Sequence, residues 1–135
     1  MDLADTIRVS SSGLKTQQDR LKVVAQNIAN AESTGTRNGQ EPYRRKTISF
    51  KNTLDRETGI TMVKTDKVDV DRSAFPSKYA PNHPLADANG YILESNVNPI
   101  TEMIDMREAR RGYEANLNVI EASKSMLSQT IGLLR

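Results

Sequence analysis

The chain has 135 residues, the length of one ordinary domain or of one architecture with a small insert. It has two Phe, four Tyr, no Trp and 27% charged residues, so the apolar core of a single chain is thin and burial against partners is expected. Lys and Arg (19) nearly balance Asp and Glu (17) and are spread along the chain, which gives no electrostatic pull toward nucleic acid or anionic membrane. The absence of Cys excludes disulfides, thiolate metal sites and a Cys nucleophile.

From Leu3 to Ala31 the apolar residues keep a seven-residue rhythm, with Ile7, Leu14, Leu21 and Ile28 in one row and Leu3, Val24 and Ala31 in the complementary one. This predicts a helix over 1–31, marginal by itself because Ser10 and Gln17 interrupt the second row and "SSSG" carries weak helix formers. The N-terminus lacks a basic segment followed by an apolar one, and no run reaches the roughly 20 apolar residues of a membrane span. Alone, that predicts a soluble chain that the Sec route does not export.

Segment 32–96 reads as a linker and a small β-rich or extended middle. "NAESTGTRNGQEP" has the turn chemistry that ends a helix. "YRRKTISF" and "ITMVKTDKVDV" alternate as strands around the turn-like "DRETG". Pro76, Pro81 and Pro84 hold the following backbone extended, and Gly90 permits a turn before Tyr91.

A last helix is expected over 97–135, with Asn98 as its cap and Pro99 in its first position. Its seam reads Met103, Met106, Arg110, Tyr113, Leu117, Ile120, Lys124, Leu127, Ile131, Leu134, in alternating steps of three and four. A second row, Gly112, Val119, Met126 and Leu133, lies beside it, with Ala109, Asn116, Ser123 and Thr130 between. Together they form an arc of roughly 160°. One partner helix cannot cover such an arc; other chains, or the middle segment folded back, must cover the rest. A helix of that length spans roughly 50 Å, which implies an elongated molecule. Arg110 and Lys124 would be costly faults in a sealed single-chain core.

Catalytic chemistry is hard to find. His83 is the only histidine and has no second ligand or nucleophile to serve. "DVDRS" at 69–73 resembles the start of a calcium loop, but Ala74 and Ala80 stand where its glycine and bidentate Glu belong. The basic run Arg44, Arg45, Lys46 has only Tyr43 beside it for stacking, a weak nucleic-acid signal. No metal, cofactor or small-molecule substrate is expected, and no enzyme.

"VVAQNIANAEST", followed by "YRRK" and the closing "EMIDMREARRGYEANLNVIEASKSML", resembles the N- and C-terminal signatures of the bacterial flagellar rod, hook and hook-associated axial proteins. "EPYRRKTISF" and "YAPNHPLADANGYILESNVN" look like the proximal-rod branch, as does the spacer "TRNGQEP" between Gly35 and Tyr43, which most axial proteins lack. The matching motif positions are Asn27, Asn30, Thr34, Tyr43, Arg44, Pro84, Asp87, Gly90, Tyr91, Asn96, Tyr113 and Asn116. The resemblance implies a mainly α subunit of a helical polymer, its terminal helices packed as an antiparallel coiled-coil-like inner layer and its β-rich middle turned outward. It implies self and other rod proteins as partners, along with surrounding basal-body parts and the flagellar type III export apparatus. It also implies a periplasmic rod location reached without a cleavable signal. Ile7, Leu14, Leu21, Val24, Ile28, Met103, Met106, Tyr113, Leu117, Val119, Ile120, Met126, Leu127, Ile131 and Leu134 are then packing positions, and Arg110, Lys124 and Asn116 reach neighbours or the channel. Another proximal-rod subunit, or a helical adaptor for protein or nucleic acid, is the alternative.

Overall fold

A computed structural model describes residues 2–36 and 39–133; Leu134 lies outside them. Two long helices pack together and carry a small antiparallel β insert between them in sequence. Helix α1 spans Leu3–Ala29. Asp2 starts it: its carboxylate accepts the Leu3 N–H at 2.6 Å, while its own N–H donates to Asp5 Oδ2 at 3.0 Å. These two bonds satisfy N–H groups at the start of the helix. Asn30 closes the helix, donating from Nδ2 to the Gln26 carbonyl at 2.8 Å.

Helix α2 spans Pro99–Leu133. The Asn98 side chain accepts from the Ile100 N–H at 3.0 Å and Pro99 fills the first position, the start that the sequence predicts.

Strands β2 (Lys46–Leu54) and β3 (Thr61–Val70) form a two-stranded sheet. Their turn is closed by Asp55 N–H to the Ile60 carbonyl (2.9 Å) and Gly59 N–H to the Asp55 carbonyl (2.8 Å), with Gly59 at φ 68°, where a Cβ would strain the backbone. The expected strand at 43–50 therefore starts three residues late. Its first groups are engaged by side chains instead: Tyr43 N–H donates to Ser33 Oγ and Arg45 N–H to Asn96 Oδ1.

A second sheet has the order β1–β5–β4, built from β1 (Thr34–Gly35), β4 (Ser77–Tyr79) and β5 (Tyr91–Glu94), all antiparallel. Thr34 lies opposite Glu94, and Ser77, Lys78 and Tyr79 opposite Leu93, Ile92 and Tyr91. The turn between β4 and β5 uses Gly90 at φ 80°, and Asp87 Oδ1 accepts from both Asn89 and Tyr91 N–H at 2.9 Å.

The chain divides into two compact units. One comprises Met1–Lys22, Ile48–Lys67 and Met106–Arg135. Within it the helices run antiparallel: Gly13 faces Asn116, Gln17 faces Gly112, and Arg20 meets Glu108 at 3.2 Å. A Cβ on Gly13 would lie 2.9 Å from the Asn116 amide, so glycine permits this approach. Ser10, Thr16, Ala109 and Ser123 are buried in this unit. Thr65 of β3 donates to Asp19 Oδ2 at 2.6 Å, and Ser12 Oγ accepts from Val63 N–H at 3.3 Å. The other unit comprises Val23–Thr47 and Val68–Asp105, with Val23, Val24, Ile92 and Val97 buried beside Asn27, Ser95 and Glu102.

Candidate functional site

Two features stand out, a buried polar junction and an uncovered apolar face. The junction is assembled in the second unit. Glu102, four residues past the Asn98 cap, is carried inward by the first turn of α2, and its side chain is only 1% exposed. Its Oε1 accepts from Arg45 Nε at 2.5 Å and its Oε2 from Asn27 Nδ2 at 3.0 Å. Asn27, two residues before the end of α1, also donates to the Lys46 carbonyl (2.8 Å), and its Oδ1 accepts from Lys46 N–H (2.9 Å) and the Tyr43 hydroxyl (3.0 Å). One amide side chain thus meets both backbone groups of Lys46, as a neighbouring strand would, and roots β2 on α1.

Asn96 makes a second clip. It accepts from Arg45 N–H at 2.7 Å and donates to the Asp71 carbonyl and Ser73 Oγ at 3.1 and 3.0 Å. Ser95 Oγ donates to the Tyr43 carbonyl at 2.7 Å. The Arg44 guanidinium lies 4.1 Å above the Phe75 ring.

Electrostatics follow this geometry. The hydrogen bond to Glu102 raises the Arg45 pKa further above its already high ordinary value. Burial, then the Glu102 charge, raises the Tyr43 phenol. The Ser73 backbone N–H bonded to its carboxylate lowers Asp71. The junction holds paired charges and saturated amides, an arrangement suited to bracing. His83 Nδ1 accepts from Leu85 N–H at 3.1 Å. Among the described residues no group of three or more His, Cys, Asp or Glu is placed to hold a metal, and no helix is long and apolar enough to cross a membrane.

The apolar face lies on α2. The side that meets α1 carries Glu102, Ala109, Asn116 and Ser123, with Met106, Tyr113 and Ile120 half-buried next to it. The row that sequence reading treats as spacers is therefore the row in contact. Arg110 and Lys124 share an exposed row with Met103 (57% exposed), Leu117 (38%) and Ile131 (55%). Arg110 reaches Glu114 at 3.7 Å, both solvated. Val119, Met126 and Leu127 are exposed as well. On α1, Val24 is buried while Ile7, Leu14, Leu21 and Ile28 are half-buried.

The motif positions are spread over both helices and the insert. Asn27, Tyr43 and Asn96 meet in the junction. Thr34, in β1, lies opposite β5, while Asp87, Gly90 and Tyr91 make the turn into β5, where Tyr91 packs edge-on against Tyr79 at 5.2 Å. Asn30 closes α1 and Asn116 faces Gly13, whereas Pro84 is exposed in the turn. Sequence reasoning missed Arg45 and Glu102. Arg45 sits in a run that reads as a solvated basic strand, and a Glu in the first turn of a helix reads as a solvated partner of the helix dipole.

Residues 7–35 match the family model of the flagella basal body rod protein, and residues 88–133 that of the flagellar basal body rod FlgEFG protein C-terminal region. The chain is 47% identical over 133 residues to the flagellar basal-body rod protein FlgC of Agrobacterium fabrum, covering 98% of this chain and 96% of that protein. It is 38% identical over 135 residues to the FlgC of Salmonella typhimurium, covering 98% of each. With the FlgC of Borreliella burgdorferi it shares 36% identity over 152 aligned positions, covering 100% of this chain and 99% of that one.

Proposed function

The chain belongs to the FlgC family of flagellar basal-body rod proteins, and from that premise we propose how its junction and its uncovered face serve the rod. It is a structural subunit of the proximal rod. In our reading it polymerises with itself and other rod proteins into the tubular shaft that transmits motor torque and encloses the export channel. Its role is mechanical and not catalytic. Residues 1–31 and 97–135 form the inner coiled-coil layer, and 32–96 form the outward part that meets surrounding basal-body components. The subunit passes through the flagellar type III export apparatus and joins the rod in the periplasm.

One observation carries this reading: α2 spends its small and polar row on α1 and leaves Met103, Leu117 and Ile131 to solvent. Exposed apolar rows of this kind mark protein contacts. Arg110 and Lys124, in the same row, then meet acidic groups of neighbours or channel water, whereas Asn116, expected with them, faces Gly13 and serves the contact with α1 instead.

The test is Leu117→Asp. Because Leu117 lies outside the intrachain contact, the variant should accumulate and fold but be missing from detergent-extracted basal bodies, in cells that do not swim, since assembly would bury an unpaired charge. Normal swimming and normal incorporation would remove the assembly role from this row. Salt-sensitive retention of the purified chain on nucleic acid would favour an adaptor instead.

A further inference from the structure

We infer that the Asn27–Arg45–Glu102 network is a register lock, which fixes the axial alignment of α1 against α2. The carboxylate and amide of the network are fully engaged in the observed alignment. Both Glu102 oxygens are engaged, by Arg45 Nε and Asn27 Nδ2, and the Asn27 amide makes four hydrogen bonds. A slide of one helical turn, about 5.4 Å, would break the Asn27–Glu102 bond and pull the carboxylate away from Arg45 while it is still buried.

The remaining helix contact has little to hold register with. It runs through Gly13, Thr16, Ala109 and Gly112, where Asn116 and Gln17 rest on the two glycines and the Arg20–Glu108 pair, with Glu108 solvated, adds little. Gln17 Oε1, buried there, finds no hydrogen-bond partner among the described residues, so a slip would sacrifice no bond at that atom. Buried ion pairs contribute little net stability compared with apolar substitutes, and fixing register is their best-attested use. The inference concerns one chain and stands apart from the rod reading.

The chain has no cysteine, so introduced pairs report alignment directly in the purified full-length protein. Each helix is continuous, and a slip moves every pairing along it. Gln17→Cys with Gly112→Cys reports the observed register, and Gln17→Cys with Asn116→Cys reports a one-turn slip. In the otherwise unchanged chain the slipped pair should oxidise about tenfold more slowly.

Combining Arg45→Met with Glu102→Met should bring the two rates within about twofold without lowering the thermal midpoint, which separates a lock from a plain stabilising contact. A slipped pair that keeps its full disadvantage in this background, or a double variant that loses stability with register unchanged, would overturn the inference. Should the double variant not fold, Glu102→Gln keeps the shape and the Asn27 acceptor but removes the charge. It should raise the slipped rate part of the way, and an unchanged rate overturns the lock equally.

Discussion

Asn27 shows how one side chain can organise several segments. It meets both backbone groups of Lys46, the Tyr43 hydroxyl and Glu102, and it is 1% exposed. Asn27→Ala leaves the Lys46 N–H and carbonyl and one Glu102 oxygen without this partner, so a loss of about 3 kcal/mol is expected from urea unfolding. Tyr43 offers a pH test in the same place. Burial and the Glu102 charge raise its folded pKa above the ordinary 10.0, so its contribution is fully present below pH 10.0 and is lost as pH rises through the higher folded value. Phenolate absorbance of the folded chain should contain a late-titrating component that Tyr43→Phe removes; an identical titration in the variant would contradict the shift. The chemistry of Arg45 and Glu102 was not legible in the sequence, because 57 residues separate them and each looks like an ordinary solvated charge.

The elements divide by how local their causes are. Both helices, the Asn98 start of α2 and the turn at Asp55–Gly59 could be read from spacing and turn residues, since each depends on neighbours a few positions away. Asn98→Ala should therefore cost about 1 kcal/mol, measurable as a lowered urea midpoint with unchanged slope, whereas Asn98→Ser should be nearly silent. Two features escaped for the opposite reason. Strand β1 is two residues long and exists because β5, some 60 positions away, pairs with it at Thr34↔Glu94 and Gly35↔Leu93. Which row of the wide arc on α2 meets α1 could not be read from the sequence. Heptad spacing marks several adjacent rows equally well, and the absence of a side chain at Gly13 and Gly112 lets the row of Ala109 and Asn116 approach α1.

Among the described residues the buried side chains are as often polar as apolar. Val23, Val24, Ile92, Val97 and Ala109 are balanced by Ser10, Thr16, Asn27, Ser95, Glu102 and Ser123, while Leu117, Leu127, Ile131 and Leu133 are left exposed. Short polar side chains can specify alignment, but they supply little of the hydrophobic stabilisation that holds a long helix in water. The segments of α2 with no buried residue are therefore the ones that this chain's own packing holds least. After Ser123 every described position of α2 is exposed, in contrast to 102–123, where buried and half-buried positions recur every three or four residues. Hydrogen exchange of the purified chain should consequently show amides at 127–133 exchanging nearly as fast as in an unfolded peptide, with protection at 109–120. If neighbouring subunits cover the apolar row as proposed, residues 127–133 should become protected by about tenfold or more in isolated basal bodies. Equal protection of both segments in the dilute chain would mean that α2 holds its last two turns alone, and the exposed row would then be an ordinary solvated face.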